Sequence, residues 1–345
     1  MAAAQSPEQR ELALVGKVEM RIALTDSDAK LGTTLKTYLA PLLLKLSSEH
    51  QSVRNKVISV CQHVNTRIKP QSIQLPVALL IKQFKEQDNA LIRHFDLLYV
   101  QQGVGRLSAG EKTELLPVVI KGIAASGSHG PQIFNLFLLL LEFFTMPPRG
   151  SKEDLDLRER LELSNEDTDF LATNIGRLLL FTPQKGTSPV CPGISKEEYS
   201  FLNLQGKEDV WTPSAGGLNL SRTKILAARL LASGIFSDNE RFLPGLFASS
   251  DTSSNISDIG DDILKRCTPA IDLENETLIS TLYDLYFGTT NRPRVRAPLR
   301  LKIIGLLNKS TKSTTFAHKI AKLVDDGISV PTFDGEDTVM SDGSR

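Results

Sequence analysis

"LAPLLLKLSSEHQSVRNKVISVCQHVNTRIKP", Leu39 to Pro70, decides the fold. Two apolar runs meet at the polar segment "SEHQS", residues 48–52. In the second run Val53, Val57, Val60, Val64 and Ile68 fall at i, i+4, i+7, i+11 and i+15, which is one face of a helix. The first run carries Pro41, which is expected to kink its helix. A helix, a short polar turn and a second helix make an antiparallel pair. One such pair cannot bury its own apolar face, whereas stacked pairs can. The expected fold is therefore all-α, a HEAT- or armadillo-type α-solenoid with units of roughly 40 to 47 residues.

The rest of the chain repeats the pattern loosely. "RFLPGLFASSDTSSNISDIGDDILKRC", residues 241–267, puts Pro244 where the first unit has Pro41. In "VRAPLRLKIIGLLNKS", Val295, Leu299, Ile303 and Leu306 again share a helical face. Serines that open helices recur: Ser6 with Gln9, Ser108 with Glu111, Ser164 with Asp167, and Ser195 with Glu198. Each sets a side-chain oxygen against the unpaired N–H groups of a first turn. About sixteen helices are expected, including single helices over 152–162 and 313–326. The copies are degenerate, so a globular helical bundle stays open as an alternative. The expected organisation is helical pairs over 1–181, a Pro/Gly/Ser-rich excursion over 182–217 with one short helix, further pairs over 218–328, and an acidic, disordered tail over 329–345.

Forty basic residues balance forty acidic ones in 345, which argues against a generalised binder of nucleic acid or membrane surface. Cys61, Cys191 and Cys267 are sparse and widely spaced, with no CxxC. They suggest neither a disulfide framework nor a zinc site. A reducing compartment follows, the cytoplasm with the nucleus as a second location. The opening "MAAAQSPEQRELALVGK" lacks the apolar core of a secretory signal. The most apolar window, Ile133 to Phe144, is shorter than the roughly 20 residues a spanning helix needs, and it contains Asn135 and Glu142. It is expected to be a buried helix, with no direct membrane insertion.

Motifs for chemistry fail one by one. "GVGRLSAGEKT", residues 103–113, resembles a phosphate loop, but Glu111 stands between Gly110 and Lys112 and a helix precedes it. The five histidines show no metal spacing, and there is no GxSxG. His63 is expected to be packed or half-exposed beside an apolar face. The acids of "GDD", Gly260–Asp262, are expected at a helix start, where the macrodipole favours them. No catalytic, cofactor or metal residue is assigned.

One charge pattern stands out. From Arg292 to Lys322 there are nine Lys/Arg and no acid. The simplest account is a solvated helix face. The functional account is a basic docking surface for a protein partner or for the acidic tail, with Arg292, Arg294, Arg296, Arg300 and Lys302 as candidate contacts. Nucleic acid is disfavoured because aromatic residues are not interleaved there.

Specific blocks carry a family resemblance. Pro41 to Ser47, Val53-Arg54-Asn55-Lys56-Val57 and Ile73 to Val77 resemble, in order, the N-terminal region of the large HEAT-repeat proteasome adaptor and scaffold family. "LSNEDTDFL" (163–171), "LPGLFASSDTSSNIS" (243–257) and "VRAPLRLKIIGLL" (295–307) are similar to it as well. Members of that family are several times longer, so the resemblance places this chain in their N-terminal part. It implies a non-catalytic scaffold that needs no cofactor. Such a scaffold binds core and regulatory particle subunits of the proteasome and stabilises or monitors their assembly. The fold alone would equally suit a scaffold for another complex, such as a transport or trafficking adaptor.

Overall fold

In a computed structural model, which describes residues 6–184, 190–204 and 210–328, the Leu39–Pro70 stretch forms the expected pair. Helix α1 (Pro7–Ala23) begins with a complete capping box, Gln9 N donating to Ser6 Oγ at 3.2 Å and Ser6 N to Gln9 Oε1 at 3.3 Å. Helix α2 (Asp28–Leu44) continues past Pro41 and tightens into a 3-10 turn at Lys45–Ser47. Helix α3 (Gln51–Arg67) then buries Val53, Val57, Val60 and Val64 at 0% exposure. Four β-branched side chains on one face fix that helix by burial more than by intrinsic helix preference.

The chain divides into two units, Met1–Ile175 with Ser200–Glu240, and Gly176–Tyr199 with Arg241–Arg345. In the first, α4 (Val77–Glu86) packs on α5 (Ala90–Val104), and α6 (Ala109–Ile120) on α7 (Gly130–Leu141). Helix α6 opens with the Ser108–Glu111 capping box. It stops before Gly122, whose φ of 70° is the left-handed conformation glycine tolerates. Asp167 holds that turn, accepting from Gly122 N at 2.9 Å and Ala124 N at 3.0 Å.

The expected helix over 152–162 is two short ones, α8 (Lys152–Leu155) and α9 (Leu157–Arg160). Tertiary bonds break it: Asp154 Oδ1 accepts from Gly234 N at 2.9 Å, and Arg158 turns to Glu240 at 3.3 Å. Helices α10 (Asn165–Leu180), α11 (Lys196–Leu202) and α12 (Leu220–Leu231) follow. Ser164 with Asp167 and Ser195 with Glu198 cap as the sequence suggests.

The second unit contains α13 (Asp238–Ser249, from Arg241 onward), α14 (Ser254–Cys267), α15 (Glu276–Phe287), α16 (Ala297–Leu307) and α17 (Ala317–Ile328). The last replaces the expected 313–326 helix, because Lys312–Thr315 is a 3-10 turn. Helices α13 and α14 cross closely: a Cβ on Gly260 would meet Ser249 N at 2.2 Å, and one on Gly245 would meet Ile263 Cγ2 at 2.6 Å. Among the described residues there are seventeen α-helices, and the one bridge of strand type pairs Thr289 with Arg292. The architecture is an all-α solenoid of helix pairs. The 329–345 tail lies outside the described residues.

Candidate interaction surface

The basic segment leaves α15 through Gly288, at φ 75°. Four backbone bonds then fix it. Thr289 N donates to Arg292 O at 2.8 Å, and Arg292 N donates back at 3.3 Å. Gly193 N donates to Pro293 O at 3.1 Å, and Val295 N to Leu285 O at 3.1 Å. With Val295 buried and the backbone pinned, the flanking arginines are held at defined positions.

Their partners differ. The Arg292 guanidinium reaches the Glu198 carboxylate, whose side chain is only 9% exposed. Glu198 also accepts from Arg177 Nε at 3.0 Å and, at its other oxygen, from Ser195 N at 2.9 Å. Two arginines and a capped helix start therefore share one buried acid, which offsets its desolvation. Arg294 is half-buried. Arg296 is exposed at the N-cap of α16 and donates to Thr182 Oγ1 at 2.9 Å. The Arg300 guanidinium lies 5.9 Å from the centre of the Tyr286 ring. Burial and the neighbouring Asp326 carboxylate push the Tyr286 hydroxyl above its ordinary range. Lys302 turns away to α14, at 2.7 Å from Asp261 Oδ1 and 2.8 Å from the Ser249 carbonyl.

The structure thus gathers Arg292, Arg294, Arg296 and Arg300 at the start of α16 and sends Lys302 elsewhere. That helix start has no acid in its first turn and presents the positive end of the macrodipole. The arrangement favours contact with carboxylates. The acids that offset Arg292 and Lys302 are invisible in the local sequence, because they lie 94 and 41 residues away.

Three other sequence features find their places. Gly260–Asp262 is in the middle of α14, not at a helix start as expected. Asp262 pairs with Arg266 one turn on at 3.2 Å, so side-chain ion pairing takes the role assigned to the dipole. In the loop that resembles a phosphate site, Glu111 caps α6 and Lys112 lies over the Phe143 ring at 4.5 Å. His63 is half-exposed. Among the described residues no three His, Cys, Asp or Glu side chains cluster to hold a metal, and no helix is long and apolar enough to cross a membrane.

The fold and this surface define a class, a helical-repeat protein built to present side chains along stacked pairs. Residues 15–341 match the family described as "Proteasome component ECM29, N-terminal", and the chain belongs to that family. It is 32% identical over 346 residues to "Proteasome component ECM29" of Saccharomyces cerevisiae, covering 94% of this chain and 18% of the relative. It is 28% identical over 370 residues to the human "Proteasome adapter and scaffold protein ECM29", covering 95% of this chain and 20% of the relative. The Drosophila melanogaster "Proteasome-associated protein ECM29 homolog" is 28% identical over 286 residues, covering 82% of this chain and 15% of the relative. The chain spans about a fifth of the length of these relatives. No solved structure matches it.

Proposed function

We propose that this chain is a non-catalytic docking module of a proteasome scaffold. It contacts core and regulatory particle subunits through the exposed side chains of its helix pairs. In doing so it stabilises or monitors their assembly, with no cofactor and no nucleic acid involved. The observation that carries this reading is the family match over residues 15–341, joined to relatives named as proteasome components, adapters and scaffolds. The three buried cysteines, none joined in a disulfide, fit a reducing compartment, and we place the protein in the cytoplasm and the nucleus. A few anchor residues are expected to dominate a broad contact, as at other protein interfaces.

Affinity capture from a lysate of the protein's own cells tests this, with bound proteins identified by mass spectrometry at low and moderate salt. Enrichment of core and regulatory subunits supports the reading. A folded, helical chain that enriches none overturns it for this part of the protein.

A further inference from the structure

A groove of about 570 Å³ runs between α14 and α16, within the second unit. Leu246, Leu264, Pro269 and Leu306 supply its apolar lining. Lys265 and Lys309, both exposed, stand on its rim. The single acid in the lining, Asp261, is already paired with Lys302 at 2.7 Å. The rim therefore carries an uncompensated positive charge above an apolar floor.

Gly305 adds a second observation. It lies inside α16, where glycine weakens a helix relative to alanine. Unlike Gly245 and Gly260, it has no neighbour that demands the missing side chain: a Cβ there would meet nothing within 4 Å. It lines the groove, and Leu301, one turn earlier, is 72% exposed. The vacancy above Gly305 brings bare helix backbone within reach of something outside the chain.

We propose that this groove docks an acidic segment of a partner protein, one that seats large apolar side chains over Gly305 and sets its carboxylates against Lys265 and Lys309. The mode is that of an amphipathic helix laid in an apolar groove, with charge fixing its orientation. This deepens the scaffold reading without depending on the proteasome as partner, so capture from a lysate and the binding test below can fail separately.

The full chain is titrated into three fluorescein-labelled peptides of equal length, followed by anisotropy. One alternates Glu and Leu at helical spacing, the second replaces each Glu with Lys, and the third replaces each Leu with Ser. The Glu/Leu peptide is expected to bind, and the other two to bind about tenfold more weakly or not at all. Gly305→Leu, which fills open space and leaves the fold intact, and Lys265→Glu with Lys309→Glu should each abolish that binding. Circular dichroism and thermal melting confirm that each variant folds. Equal binding of the Lys peptide or of the Ser peptide would overturn the proposal, as would undiminished binding to Gly305→Leu. Self-association of the chain that Gly305→Leu removes would assign the groove to a second copy and overturn it too.

Discussion

The Arg106 guanidinium donates to the Ile68 carbonyl at 2.7 Å, thirty-eight residues earlier in the chain. It also donates to the Ile73 carbonyl at 2.8 Å and the Pro70 carbonyl at 3.1 Å, so one side chain closes the exit from α3. The arrangement recurs. Arg67 reaches the carbonyls of Ile22 and, at 2.7 Å, Thr25 at the end of α1. Lys85 reaches the carbonyls of Val118, Lys121 and, at 3.1 Å, Val119 at the end of α6. A cation placed about one repeat away donates to carbonyls at or just past a helix end, where the dipole favours positive charge. These staples tie successive pairs of the first unit together.

Arg106→Met keeps much of the stem and removes the donors. It is expected to cost about 2 kcal/mol, since hydrogen bonds from a charged donor contribute about 1.5 to 3 kcal/mol. Urea unfolding measures the loss. A midpoint unchanged from the parent would show the staple to be idle.

Asp96 is fully buried between α4 and α5 and accepts from Gln83 Nε2 at 3.0 Å, while its Oδ2 has no partner. Burial pushes its carboxyl up to about 7. An unfolded Asp titrates near 4, so folding takes up a proton between about pH 4 and pH 7. The Asp96 contribution should therefore make stability fall as pH rises through that window and level off above it, by on the order of a few kcal/mol. Asp96→Asn should flatten this slope and be more stable than the parent at pH 8. Chemical denaturation at several pH values checks it; identical slopes in the two proteins would count against the assignment.

Val57 is 0% exposed at the centre of the α3 face. Val57→Asp buries an unpaired charge and should cost 4 kcal/mol or more, roughly the whole stability of a marginal unit. Loss of cooperative melting by circular dichroism is expected. Val57→Ala should cost only about 1 to 3 kcal/mol and still melt cooperatively. A Val57→Asp protein that melts like the parent would remove α3 from the core.

The basic segment separates into structural and accessible arginines. Arg292→Glu would set a second carboxylate against Glu198 and should destabilise the second unit by about 1 to 3 kcal/mol. Arg296→Glu with Arg300→Glu should leave melting nearly unchanged and weaken capture of proteasomes about tenfold at low salt. Thermal melting and capture, run side by side, separate the two effects. Undiminished capture by the double variant would take this surface out of the contact.

The sequence carries the local structure well. The valine face of α3, the four capping serines and the face of Val295, Leu299, Ile303 and Leu306 are all legible, because each depends on residues within a few positions. What it hides depends on distant partners. The break at Asp156 comes from Gly234 and Glu240, and the site of the acid pair follows from α14 beginning at Ser254. The same holds for the charge run: no local acid separates its arginines, yet Glu198 and Asp261 offset two of its members from afar. Arg67, Lys85 and Arg106 look like ordinary surface cations in one dimension, and only a spacing of about one repeat between cation and helix end hints at their use.

Sedimentation of the purified chain with purified proteasomes through a glycerol gradient tests the proposed docking of this chain by itself. The chain is expected to move into the proteasome fractions at low salt, in fixed ratio at saturation, and Arg296→Glu with Arg300→Glu to shift it back toward the top. A folded chain that stays at the top of the gradient at every proteasome concentration would contradict it.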